Sequence, residues 1–205
     1  MIRFYSINKS DKKIESKIFR SIKKVIKKNN FILGNEVSNF ENSFSKLCNS
    51  KYSIGCSNGT DAITIALLSL NLPKNSEVIL PAMTYASTFY AIVNANLKPV
   101  LVDINNDDPL INLNQIERKI NNKTKAIIPV HLYGSVVNLF KLNRILRKKK
   151  IYIIDDCSQA HGAMYDNGKR VGGHGISNIS TFSLYPGKNL GAYGDAGIIT
   201  TNNKK

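Results

Sequence analysis

Apolar residues recur every three or four positions through the first quarter of the chain and gather into short continuous runs thereafter. Ile14, Ile18, Ile22, Val25 and Ile26 share one side of a 3.6-residue period, which predicts an opening helix over residues 11–29. Val37, Phe40, Phe44 and Leu47 keep that spacing within "FILGNEVSNFENSFSKLCN" and predict a second helix. Past residue 50 the pattern changes. "YSIGC", "EVILP", "KPVLVDI", "KAIIPV" and "IYIID" are short runs, mostly rich in Val and Ile, and read as strands. Between them "GTDAITIALLSLNL", "TYASTFYAIVNAN", "NLNQIERKI" and "NLFKLNRILRKK" read as helices. The alternation predicts β-α-β units, hence an α/β fold with a mostly parallel sheet flanked by helices. "YDNGKRVGG" carries the Asn-Gly dipeptide of a tight hairpin turn, and "ISTFSL" and "AGIITT" are the last strands. With no tandem repeat or Pro/Ser linker, residues 1–205 form one expected domain, stopping at "TTNNKK" straight after a strand.

Charge changes this picture little. The net charge of +15 comes mostly from lysine, the arginines being Arg3, Arg20, Arg118, Arg144, Arg147 and Arg170. Base reading and bidentate phosphate contacts favour the planar guanidinium fork. The basic runs "SIKKVIKKNN" and "NRILRKKK" also carry apolar residues at helical spacing, so they read as solvated helix faces. No nucleic-acid partner is expected. The first residues, "MIRFYSINKSDKKIESK", hold no apolar leader core, and no apolar stretch approaches the roughly 18 residues of a membrane span. Cys48, Cys56 and Cys157 lack CxxC spacing. Reduced thiols, a cytoplasmic home and no membrane partner are the expectation.

Candidate chemistry gathers at the carboxyl ends of the strands, where open α/β sheets bind ligands. Ser57, Asn58, Gly59 and Thr60 follow the first strand, and Thr84 and Tyr85 the second. His131 and Tyr133 follow "IIPV"; Asp155, Asp156, Gln159 and His161 close or follow "IYII"; Ser183 and Lys188 follow "ISTF". Lys188, within "SLYPGKNLGAYGD", admits three readings: phosphate loop, covalent cofactor anchor or surface lysine. The phosphate-loop pattern G-x-x-x-x-G-K-[ST] fails, because Phe182 and Asn189 stand where the first glycine and the hydroxyl belong. No G-x-G-x-x-G follows a strand either, Asn178 replacing the last glycine of "GGHGISN".

The anchor reading employs the remaining groups. Pyridoxal 5'-phosphate needs backbone N–H groups at a helix start and hydroxyls for its phosphate, which Gly59, Thr60 and Ser183 can supply. Its ring nitrogen needs a carboxylate, for which Asp156 is the candidate. A carboxylate about 4 Å away at an effective dielectric of about 20 contributes roughly 4 kcal/mol, or about 3 pKa units. Lys188 and Asp156 must therefore face one cavity.

"GCSNGTDAITIAL", "LPAMTYASTFYAI", "PVHLYG", "IIDDCSQAHGA" and "STFSLYPGKNLGAYGDAGIITTNN" together resemble the DegT/DnrJ/EryC1/StrS family of sugar aminotransferases, in the family's order. "ILGNEVSNFE" resembles its N-terminal segment, and "YPGKNLGAYGDAG" the branch acting on nucleotide-linked 3-keto-6-deoxyhexoses. The resemblance implies the large domain of a fold-type I enzyme. Lys188 would anchor the cofactor and move a proton, Asp156 would pair with the ring nitrogen, and Gln159 would bond near the phenolic oxygen. Gly59, Thr60 and Ser183 would hold the phosphate and Tyr85 would stack on the ring. It further implies glutamate as amino donor, a dTDP-linked keto sugar as acceptor, a homodimer, and a place in surface polysaccharide or amino-sugar biosynthesis.

Two departures accompany it. Ser135 stands where the family often has glutamine, and the family's smaller C-terminal domain is not in these 205 residues. The chain is therefore expected to be a fragment, a truncated and catalytically silent product, or half of a split enzyme. Outside the resemblance, Asp155 reads as a solvated or capping carboxylate and Cys157 as packing. Tyr85 reads as core of an apolar helix. His131 and His161 read as satisfied polar residues lining the cofactor cavity.

Overall fold

The computed structural model describes residues 12–147, 149–173 and 175–204; position 11 of the opening helix, the segment before it and His174 of "GGHGISN" lie outside them. In chain order the elements are helices α1 (Lys12–Lys28) and α2 (Asn35–Cys48), strand β1 (Tyr52–Cys56), α3 (Gly59–Ser69), β2 (Glu77–Pro81), α4 (Ala86–Asn94), β3 (Lys98–Val102), α5 (Leu113–Lys119), β4 (Thr124–Ile127), a 3-10 turn (Leu132–Gly134), α6 (Leu139–Ile145), β5 (Tyr152–Asp156), β6 (Ile179–Ser183) and β7 (Gly197–Thr201).

Asparagine does much of the punctuation. Asn58, Asn112 and Asn138 cap α3, α5 and α6 by accepting backbone N–H groups of the first turn. Asn29, Asn49, Asn71, Asn75 and Asn96 take the left-handed conformation at helix ends and turns, where asparagine costs less than other non-glycine residues.

The seven strands form one sheet in the order β1-β7-β6-β5-β4-β2-β3. β7 alone runs against its neighbours, pairing antiparallel with β1 and β6, while β2–β3, β2–β4, β4–β5 and β5–β6 are parallel. β2 is buried along its whole length, as a strand covered on both faces must be. Apolar side chains alternate between two cores. Ile127, Ile153, Phe182 and Ile198 face α2, α5 and α6, whereas Ala126, Ile154, Ile179 and Ile199 face α3 and α4. Edge strand β1 is covered by α2, whose Glu41 carboxylate accepts the Gly55 N–H at 2.8 Å.

Three expectations are modified. The Asn-Gly segment does turn, with Gly168 at φ 75° and Tyr165 N–H bonding Lys169 C=O, but only one bridge, Met164–Arg170, follows, so no strand pair forms. β4 ends at Ile127, and Val130 rejoins the sheet as a single bridge to Asp156. The apolar face of α1 is only partly covered: no residue of that helix is buried, Ile18 and Val25 are half-buried, and Ile14 and Ile26 are each more than half exposed.

Candidate active site

The carboxyl ends of the parallel strands open into a cavity of about 630 Å³. Gly59, Thr60, Tyr85, Asp156, Gln159, Ser183 and Lys188 all line it, so every candidate site residue of the sequence converges on one space.

Asp156 ends β5 and is 5% exposed. The Thr88 hydroxyl of α4 donates to its Oδ2 at 2.9 Å, and the Ser158 N–H donates to its Oδ1 at 3.1 Å. Thr84 and Thr88 hydroxyls lie 2.9 Å apart, extending the network along the helix start. Two donors on separate elements fix the carboxylate while its free lone pairs stay toward the cavity. Lys188 sits across that space on the loop after β6, where its N–H bonds Tyr185 C=O at 2.8 Å. Burial pushes its ammonium below the usual lysine range, and attraction to Asp156 works in the opposite direction.

A cradle for an anion forms where α3 starts. Asn58 accepts the Asp61 N–H at 2.8 Å and returns a side-chain N–H to the Asp61 carboxylate at 2.9 Å. This reciprocal cap holds the helix end but leaves the Gly59 and Thr60 N–H groups without intrahelical acceptors. Gly59 lies so close to the end of β6 that a Cβ there would meet the Ser183 Cβ at 2.6 Å. Only glycine permits that approach, which brings the Ser183 hydroxyl beside the helix N-terminus. The Thr60 hydroxyl already donates to Ser87 Oγ at 2.8 Å, so its proton is directed away from a ligand.

Gln159 Oε1 accepts the Tyr133 N–H at 2.8 Å. Its carbonyl is thus engaged, and the amide NH₂ is what it offers a ligand. Tyr85 is no core residue: it precedes α4 as its N-cap and is 71% exposed, since the helix begins at Ala86, two residues later than the sequence pattern suggests.

The histidines divide. His131 is fully buried on the face of the sheet opposite the cavity and does not line it. His161 borders a second space that it shares with Lys188 and Gln159. Its burial, opposed by the Ser183 backbone and helped by the Lys188 charge, lowers its pKa to about 4. Asp155 is neither solvated nor a cap, being 0% exposed. Burial raises the Cys157 thiol well above the usual range, with Asp155 and Asp156 adding to it, in keeping with packing. Thr88 is the contributor that sequence reading missed. Its only sign was a place one helical turn after Thr84 and Tyr85, on the side facing the strand ends.

No helix among the described residues is long and apolar enough to cross a membrane. The model of the DegT/DnrJ/EryC1/StrS aminotransferase family matches residues 12–205. A dTDP-3-amino-3,6-dideoxy-alpha-D-galactopyranose transaminase of Aneurinibacillus thermoaerophilus is 44% identical across 98% of this chain and 55% of its own length. DesV of S. venezuelae superposes with a TM-score of 0.94 at 32% identity, over 99% of this chain and 54% of that one. NtdA of Bacillus subtilis, solved with bound cofactor PMP, gives 0.90 at 33% identity over 99% and 45%. The chain spans about half the length of the curated relatives it matches. Its mostly parallel sheet is therefore an aminotransferase fold over that half, and the chain belongs to the DegT/DnrJ/EryC1/StrS aminotransferase family.

Proposed function

We propose that residues 1–205 are the large, cofactor-binding domain of a pyridoxal-phosphate-dependent sugar aminotransferase. It moves an amino group from glutamate to a nucleotide-linked keto sugar of the dTDP-3-keto-6-deoxyhexose kind, as a cytoplasmic homodimer serving surface polysaccharide or amino-sugar biosynthesis. One observation carries the reading: an amine, a doubly held carboxylate and a helix N-terminus with an adjacent hydroxyl line a single cavity.

The donor set fits the cofactor at both ends. Gly59 and Thr60 N–H groups and the Ser183 hydroxyl suit a phosphate, and the helix dipole adds to their attraction. Asp156, aimed by Thr88 and Ser158, suits a protonated ring nitrogen. The Gln159 NH₂ suits the phenolic oxygen, and Tyr85 supplies an aromatic face beside the ring. When bound, pyridoxal phosphate supplies an aldehyde that exchanges amines and a ring that withdraws electrons from carbon.

Lys188 acts through its amine. Desolvation raises the neutral, nucleophilic fraction near neutral pH and makes the same nitrogen able to take and return a proton. The pull of Asp156 opposes that desolvation.

Absorbance tests the assignment. The purified chain with added pyridoxal phosphate should gain a visible band that survives gel filtration, and Lys188→Ala should lack it. Glutamate should then bleach the band if the chain turns over, and leave it unchanged if it only binds cofactor. A wild-type chain that stays colourless with added cofactor sinks the proposal.

A further inference from the structure

Behind β5, on the face away from the cavity, His131, Asp155 and Cys157 bring one ligand-type atom each within 4.8 Å of one another, all fully buried. Such a trio suggests a cation, but one hydrogen bond decides against it. The Val137 N–H donates to His131 Nδ1 at 3.0 Å, so the lone pair on that nitrogen is in use. The ring proton must then reside on Nε2, which faces Asp155 Oδ2 at 3.8 Å. A ligating histidine offers one bare nitrogen to the metal and turns its other N–H to an acceptor. Here Nδ1 meets a donor.

The same contacts reach the cavity. His131 N–H donates to Asp156 C=O at 3.0 Å, fixing the residue to the sheet. Six residues later, Val137 returns to its ring. Between them the chain turns tightly, with Tyr133 at φ 55° and Gly134 at φ 84°. A tyrosine in the left-handed region is strained and persists only where its surroundings hold it. That conformation accompanies the Tyr133 N–H bond to Gln159 Oε1.

We propose that His131 is a positioning residue: its ring, with the proton fixed on Nε2, clamps the 132–137 turn against β5, and through Tyr133 it sets the direction of the Gln159 amide. The consequence for a bound ligand rests on the function proposed above; the clamp itself does not.

The test has a cofactor-free arm and a loaded arm. In nitrogen-15 NMR of the full chain without cofactor, His131 Nε2 should carry the proton and Nδ1 none, and added zinc should change neither. Amide exchange at Val137 should quicken at least tenfold in His131→Leu. It should stay within about threefold of wild type in His131→Asn, whose carbonyl replaces the Nδ1 acceptor. If the leucine variant fails to fold, the asparagine variant decides, and loss of its Val137 protection overturns the clamp. With pyridoxal phosphate added, Gln159→Ala and His131→Leu should shift the visible band in the same direction, and the double variant should add nothing to Gln159→Ala. Additive shifts, a proton on Nδ1, or zinc displacing the Nε2 proton each overturn the proposal. A wild-type chain that takes up no cofactor refutes the aminotransferase reading, while exchange and NMR still judge His131.

Discussion

Asp155 and Asp156 are neighbours in sequence, both nearly sealed from water, yet they meet opposite environments. Strand alternation sends Asp156 to the cavity side and Asp155 to the other core. Asp156 has a donor on each oxygen, at 2.9 and 3.1 Å, from a helix and from the following turn. Asp155 has a Ser180 hydroxyl at 3.4 Å and the His131 ring at 3.8 Å, and its Oδ1 has no hydrogen-bond partner. Asp156 also attracts the Lys188 ammonium across the cavity. The difference teaches where to look for function. A carboxylate held by two donors beside open space is prepared for a ligand, whereas one with only long contacts and an unpartnered oxygen belongs to the architecture.

The largest effect should come from the cavity-side acid. In Asp156→Asn the shape is kept and the charge is lost, so the roughly 4 kcal/mol available to a cationic ring nitrogen disappears. Glutamate bleaching of the cofactor band, followed by stopped-flow absorbance, should slow about a thousandfold. A loss under tenfold would mean that the two carboxylates are not functionally distinct, and the comparison would break.

Much of this arrangement was legible in the chain. The runs "EVILP" and "IYIID" read as strands because short stretches covered on both faces are mostly apolar. The ring of candidate residues followed from their common place after strands. Three things were not legible. Periodicity alone does not decide which acid of "DD" faces the cavity, since one residue of register reverses both. The choice of Asp156 rests on its place at the strand end and on the resemblance, and the burial of Asp155 was not expected. Thr88 looked like an ordinary helix hydroxyl until α4 was laid across the end of β5. The apolar stripe of α1 predicted burial, but a stripe states only that a helix has a side to cover, not that this part of the chain covers it.

The core face carries a second polar group whose effect is intermediate. His161 packs against Phe182, with ring centroids 5.5 Å apart, and its pKa is lowered to about 4 from an ordinary 6.5. The folded chain therefore binds fewer protons than the unfolded chain between those values. Stability is fully present above pH 6.5 and falls as the pH drops toward 4, by roughly 2–3 kcal/mol in all. Thermal midpoints measured from pH 7 to 4.5 should decline more steeply for wild type than for His161→Leu. Glu77 does not blur the window. Its carboxyl is held below the ordinary 4.5 first by the Asn121 side chain, so its contribution is lost only at lower pH. Parallel curves for the two proteins would show that the imidazole is not kept neutral by its surroundings.

The smallest effect should come from Asp155→Asn. Asparagine keeps the size and one carbonyl oxygen, which can still accept from the Ser180 hydroxyl. Removing a buried carboxyl that lacks a cation sacrifices no ion pair, and the new NH₂ group opposes that gain because it needs an acceptor among neighbours that mostly donate. The two terms are of similar size, so unfolding free energy should change by about 1 kcal/mol or less. The cofactor band and its glutamate bleaching should stay within about twofold of wild type. Chemical denaturation and the same stopped-flow assay measure both quantities on one preparation. A hundredfold slower half-reaction with unchanged stability would mean that the core-side carboxyl acts through the strand on its neighbour. The pair would then be one electrostatic unit rather than two residues divided by a sheet.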